Sequence, residues 1–171
     1  MTANKEEFFL NHQNSTLVIR TAQFEDVDWV FNLAYSEMDK ILQRAYEETG
    51  GYNWMNWKAS VKQALFLPDE HIKIIELASK RKNIGFYWVS SEEVIWLTSI
   101  VLISEWQHKG IGKRIMNFIE KNHRVNGQEF FELGVQETNP AIKFYEKLGF
   151  EPIERWEGKT IVMQKQLGDK K

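Results

Sequence analysis

Apolar residues recur along this chain at two spacings, and the change from one to the other marks out its elements. Thr16 to Arg20 reads as a strand. Val27, Val30, Phe31 and Ala34 then fall at i, i+3, i+4 and i+7, which predicts a helix. Ile41, Leu42 and Ala45 continue or restart it, and the GGYN stretch from Gly50 to Asn53 breaks it. Trp57 to Leu67 is helical in pattern and meets a stop at Pro68. Three strands follow, from His71 to Ser79, Ile84 to Val89 and Val94 to Ile103. Their short polar turns, KRKN and SSEE, predict antiparallel pairing. The last is apolar almost throughout, which predicts a central strand buried on both faces.

Beyond it, Ile111, Ile115, Phe118 and Ile119 form a helical stripe reaching about Val125. Glu129 to Val135 reads as a strand and Pro140 to Leu148 as a helix. Ile153 to Glu157 and Thr160 to Gln164 read as a closing hairpin across EGK. The order predicts an α+β fold. No internal repeat interrupts it.

Length and composition narrow the picture further. A chain of 171 residues with 43% hydrophobic content predicts one domain with a substantial core. We expect an N-terminal extension over 1–15, one domain over 16–166 and a mobile C-terminal tail over 167–171. A net charge of −2 gives no overall basic surface for nucleic acid. The absence of cysteine excludes disulfides, thiolate metal sites and thiol nucleophiles, and fits a reducing cytoplasm. The opening MTANKEEFFLNHQ lacks the apolar core of a secretory signal, and no run is long enough for a membrane helix. His12, His71, His108 and His123 show no metal-ligand spacing, so no metal is expected.

The chemistry concentrates in QHKGIGKR, from Gln107 to Arg114. A loop entering a helix offers backbone N–H groups without intrahelical partners, and the helix dipole adds to their pull on anions. Gly110 and Gly112 let a ligand approach the backbone, and His108, Lys109, Lys113 and Arg114 add positive charge. An ordinary glycine turn leading into a basic helix start fits the same residues. A Walker loop is excluded by Gln107 and Arg114, and a dinucleotide fingerprint by Ile115.

A second block, NPAIKFYEKLGF, spans Asn139 to Phe150. With Gln107, Gly110 and Gly112 in the pattern Q/R-x-x-G-x-G/A, and Asn139, Phe144, Tyr145, Leu148, Gly149 and Phe150 after it, the chain resembles the GNAT superfamily of N-acetyltransferases from about Leu17 to Gln166. The resemblance implies a mixed, mostly antiparallel sheet of about six to seven strands with helices on both faces. It also implies acetyl-CoA as acyl donor, with the pyrophosphate on the amides of Gln107, His108, Lys109, Gly110, Ile111, Gly112 and Lys113. The pantetheine arm would pair near Ile100 and Leu102, where a backbone N–H would also face the thioester oxygen.

By the same resemblance Tyr145 is the proton donor to the departing thiolate and touches the cofactor. Its phenol, with an ordinary pKa of about 10, stays protonated at neutral pH. Packing explains it equally, because Ala141, Tyr145 and Leu148 share a helix face. Asn139 and Pro140 are also explicable as helix cap and first turn, and Gly149 as helix stop. Asn139 would both cap and contact the cofactor.

Histone-acetylating relatives carry a glutamate on the central strand where this chain has Trp96, which argues against that substrate type. Glu37, Asp39, Glu47 and Glu48 lie where the acceptor pocket is walled and are candidate bases, or solvated charges. Tyr35, Tyr52, Trp54, Trp57 and Trp96 are candidates for an aromatic acceptor pocket, or for core packing. The expected function is direct transfer of acetyl from acetyl-CoA to a primary amine of a small molecule or peptide. The alternative is a non-catalytic acyl-CoA-binding sensor on the same fold. No nucleic acid or membrane partner is expected, and a homodimer is compatible with the aromatic content.

Overall fold

The computed structural model describes residues 7–12, 15–124 and 127–168, with side chains from Ser15 onward. Its strands form one eight-stranded sheet in the order β1-β2-β3-β4-β5-β6-β8-β7. These are β1 (Glu7–His12), β2 (Ser15–Thr21), β3 (Glu70–Leu77), β4 (Lys82–Ser91), β5 (Ile95–Leu102), β6 (Phe130–Gln136), β7 (Glu151–Trp156) and β8 (Thr160–Gln166). The α-helices are α1 (Val27–Ala45), α2 (Trp54–Ala64), α3 (Ile111–Asn122) and α4 (Ile142–Lys147). All neighbouring strands pair antiparallel except β5 and β6. The fold class is the one expected. The extra strand is β1, an edge strand within the segment set apart as an extension. Residues 1–6, 13–14 and 169–171 of the two terminal segments lie outside the described residues.

The helices cover the two faces of the sheet with separate cores. On one face α3 contributes Ile111, Ile115, Met116 and Ile119, packed with Tyr145 and Phe150 against β4, β5 and β6. On the other, Val30, Leu33 and Ala34 of α1 and Val61 of α2 pack on Ile74, Phe86 and Val101. Complete burial of such a side chain contributes about 1.5–3 kcal/mol.

Several boundaries move for local reasons. α1 runs unbroken through Ala45. α2 starts at Trp54, earlier than expected, because the Asn53 side chain accepts the Asn56 N–H as an N-cap. It also ends before Leu67, since Phe66 and Leu67 N–H groups turn back to Gln63 and Ala64. α3 ends at Asn122, short of Val125, which lies outside the described residues.

The expected two-sided burial of β5 is corrected: its residues alternate between buried and half-buried from Ile95 to Ile100. Trp88 pairs with Ser99 and Val89 with Leu97, which leaves Thr98 as a bulge on β5. The bulge shifts the alternation. Ile95, Leu97 and Leu102 join the α3 core, whereas Val101 joins the α1 core. Apolar character along β5 therefore reflects contact with two cores and a cavity, and not complete enclosure.

Candidate functional site: an opening between two parallel strands

β5 and β6 are paired only at Ile95–Phe131, Trp96–Glu132 and Leu97–Leu133. Pairing ends at the Thr98 bulge, so the C-terminal halves of the two strands leave backbone edges facing one another without a ladder. Such edges can pair with an extended ligand. Ile100 and Leu102 stand on this stretch, paired on their other side with Tyr87 and Gly85 of β4. The Leu102 carbonyl already accepts from Gln107 Nε2 at 2.8 Å.

The glycine loop leads from this opening into α3. Gly110 is the N-cap, with φ of 82° and no side-chain cap, and it accepts from the Arg114 N–H. His108 also has positive φ, at 57°. Two left-handed residues flank Lys109, and a backbone that alternates in hand can gather N–H groups into a concavity for an anion. Lys109 Nζ rests 5.2 Å from the Trp106 ring centre. His108, Lys109, Gly110, Lys113 and Arg114 are exposed, whereas Ile111 is buried in the core and offers a ligand only its backbone. Gly112 is not left-handed; a Cβ there would stand 3.4 Å from Phe144 Cζ of α4.

Gln107 ties the loop to the opposite face. Its Nε2 also donates to Glu37 Oε2 at 2.8 Å, and Ser104 Oγ donates to Glu37 Oε1 at 2.9 Å. Glu37 thereby fixes α1 to the loop.

α4 is shorter than the sequence pattern predicts. Ala141 is its N-cap, while Asn139 Oδ1 accepts the Ala141 N–H at 2.9 Å one turn earlier. At its end Gly149, at φ 89°, donates to Glu146, and the Phe150 N–H reaches back to the Tyr145 carbonyl. This is a Schellman stop, with Phe150 packed on Tyr145 at 6.0 Å between ring centres. Tyr145 is 8% exposed, and burial pushes its phenol up to about 12. Among the described residues its hydroxyl has no hydrogen-bond partner, so the ring packs while the hydroxyl is left for a ligand or water.

On the α1 and α2 face, a cavity of about 470 Å³ opens against the same gap. Its floor takes Thr98 and Ser99 from β5, Gly134 and Gln136 from β6 and Thr160 from β8. Aromatic walls come from Tyr46, Tyr52, Trp57, Trp96 and Trp156. Burial, with Tyr46 adding to it, pushes Tyr52 up to about 12.

Tyr52, Trp57 and Trp96 of the proposed aromatic set line the cavity, but Trp54 and Tyr35 do not. Trp54 is core, its indole N–H donating to Asp39 at 2.7 Å. None of Glu37, Asp39, Glu47 and Glu48 lines it either. Glu37 and Asp39 are held as described, and Glu48 pairs with Lys159 at 3.7 Å. Sequence reasoning missed Tyr46, Trp156 and Glu157. Their only signal was a tryptophan beside the EGK turn, and what that turn faces depends on the hairpin's position. Gly158 explains it: a Cβ there would lie 2.3–2.6 Å from three atoms of the Tyr46 ring, so the turn closes directly on α1.

Among the described residues, no three metal-binding side chains gather in one place, and no helix is long and apolar enough to cross a membrane. A mixed sheet whose one parallel pair splays beside a glycine-started helix defines an acetyltransferase-type fold. Residues 68–152 match the family model described as an acetyltransferase (GNAT) domain. The chain belongs to the GNAT superfamily.

Solved structures agree in fold. The PaiA N-acetyltransferase from Thermoplasma acidophilum, in complex with coenzyme A, is 22% identical, with 88% of this chain and 99% of that chain covered and a TM-score of 0.66. Spermidine N-acetyltransferase from Vibrio cholerae, in complex with CoA and spermine, is 18% identical, with coverages of 88% and 95% and a TM-score of 0.66. A GNAT-family acetyltransferase from Listeria monocytogenes is 16% identical, with coverages of 94% and 100% and a TM-score of 0.67. No curated protein matches the chain significantly.

Proposed function

We propose that this protein is an N-acetyltransferase that moves the acetyl group of acetyl-CoA to a primary amine by direct attack in a ternary complex. The observation that carries the reading is the two-sided opening at the β5–β6 gap. The glycine loop and Tyr145 belong to one face of the sheet, and the aromatic cavity belongs to the other. Donor and acceptor can thus meet from opposite sides.

Acetyl-CoA fits the first face, where the α3 start has no side-chain cap and Gly110 keeps its left-handed backbone bare. His108, Lys109, Gly110, Ile111, Gly112 and Lys113 would hold the pyrophosphate through backbone N–H groups, with Gln107 ordering the loop. Asn139 would contact the donor beside α4, and the β5 edge near Ile100 and Leu102 would pair with the pantetheine arm. Acetyl-CoA supplies an acyl group activated as a thioester. The chain's own residues govern the protons. An incoming ammonium gives one proton to Glu157 or to water, so that the neutral nitrogen can form its bond to the acyl carbon. As the carbon–sulfur bond breaks, sulfur takes the electron pair and the Tyr145 hydroxyl proton. The second amine proton returns to Tyr145 through water, and one proton is released overall.

The test is consumption of acetyl-CoA by the purified chain across polyamines, amino acids, aminoglycosides and peptides, with product masses recorded. A mass gain of one acetyl group on an amine is expected. Hydrolysis at the same rate with and without acceptor, alongside tight CoA binding, would establish an acyl-CoA sensor instead.

A further inference from the structure

The cavity has aromatic walls and a single lining carboxylate among the described residues. Trp96 and Trp156 stack at 5.3 Å between ring centres with 19° between their planes. Trp57 also lines the cavity, in edge contact with Trp88 and Trp54. Trp156 is 49% exposed on an edge strand whose residues all face water. Half-exposure of so large an apolar surface is unfavourable, and a flat ligand would relieve it.

Charge points the same way. Glu157 is the single carboxylate among the described residues that line the cavity. The nearby hairpin brings cations with it: Lys159 pairs with Glu48 at 3.7 Å, and Arg155 with Glu137 at 2.8 Å. A ligand with several ammonium groups would find one lining carboxylate, because Glu48 and Glu137 are already paired with Lys159 and Arg155. Its remaining charges would lose water without gaining a partner.

The floor is polar where the walls are not. Thr160 is 7% exposed, and its buried Oγ1 has no hydrogen-bond partner among the described residues. An unpaired buried hydroxyl calls for a ligand or a water. Ser99, beside the Thr98 bulge, adds a second hydroxyl to the same floor.

We propose that the acceptor is a primary monoamine carrying a flat apolar group, of the arylalkylamine kind, and not a polyamine; this rests on the acetyltransferase reading above. The ring lies against Trp96, Trp156 and Trp57. Glu157 balances the single positive charge on entry, and the hydroxyls of Ser99 and Thr160 hold the neutral nitrogen at the β5–β6 gap.

The test compares phenethylamine and tryptamine with spermidine and spermine, using the full chain and acetyl-CoA. Released CoA thiol is followed with a thiol reagent, to which a chain without cysteine contributes no background. The expected kcat/KM for the arylalkylamines exceeds that for spermidine by about tenfold or more. Trp156→Ala lowers it by about tenfold for phenethylamine, with CoA affinity by calorimetry unchanged. Glu157→Gln raises the amine KM more than it lowers kcat. A preference for spermidine, or equal losses for both amine classes in Trp156→Ala, overturns the assignment while leaving the acetyltransferase reading intact. Failure to acetylate any amine despite CoA binding overturns both.

Discussion

At Tyr145 the ring packs in the core, and the hydroxyl is the proton donor we propose. Its ring completes the Schellman contact with Phe150, and its hydroxyl has no protein partner among the described residues. Tyr145→Phe should therefore keep the melting temperature within about 2 °C, because no hydrogen bond is lost. If the hydroxyl is the acid, kcat falls by about 10²-fold or more with the acetyl-CoA KM unchanged. Wild-type turnover in steady-state kinetics would sink that role. A phenol raised to about 12 stays protonated over the working range, so Tyr145 itself contributes no alkaline loss of rate.

His123 carries a second residue-scale prediction. It is buried against Tyr87, whose hydroxyl lies 3.0 Å from Nε2, and next to His71. Burial first, then the charges of His71 and Lys73, lower its pKa from 6.5 to about 3. The unfolded chain therefore binds the extra proton between these values. Stability from neutral His123 is present above about 6.5 and is lost as pH falls towards about 3. Thermal unfolding at pH 7 and pH 5 should show a drop that shrinks in His123→Gln; an unchanged drop would assign it to other groups.

At the scale of elements, two turns control the site through glycine. Gly110 at φ 82° starts α3, and a valine there is strained by about 1–3 kcal/mol. Calorimetry should show CoA affinity falling by about tenfold or more in Gly110→Val. Gly112→Val, which the loop pattern alone suggests as a binding probe, would also press on Phe144 beside Tyr145, so its effect mixes binding with chemistry. Gly158→Val acts on the other face. Its Cβ overlaps the far end of the Tyr46 ring, so the ring or the turn must shift at the cavity wall. The expected result is a higher amine KM with CoA affinity retained, and a simultaneous loss of both would show that the turn supports the whole sheet.

At the scale of the whole molecule, the opening lies between two cores on opposite faces of the sheet. A ligand bound by the folded chain alone stabilises it by about 2.7 kcal/mol at a hundredfold excess over Kd. For a domain of this size, that is a rise in melting temperature of about 5–11 °C. Thermal unfolding with and without CoA measures it, and no rise at saturating CoA would contradict donor binding.

All elements but β1 were legible in the sequence because local spacing dictates them: helix faces repeat about every 3.6 residues and strands every two. The glycine loop was legible too, since a left-handed helix start favours glycine whatever surrounds it. Misplaced boundaries came from turns closed by single side chains, such as Asn53 before α2 and Asn139 before α4. The Thr98 bulge left no mark in an apolar strand, because an extra residue in β5 is defined only by its pairing with β4.

Local sequence settles the order of helices and strands from β2 onward, the bare backbone at the start of α3 and the presence of Tyr145 near a helix end. Each of these depends on residues close together in the chain. Which acids are already held, which tryptophans face open space and where β5 parts from β6 depend instead on contacts made across the fold. Trp96 and Trp156, or Glu37 and Gln107, meet across 60 and 70 positions of chain. Such contacts arise from sheet register and hairpin docking, which no local pattern encodes.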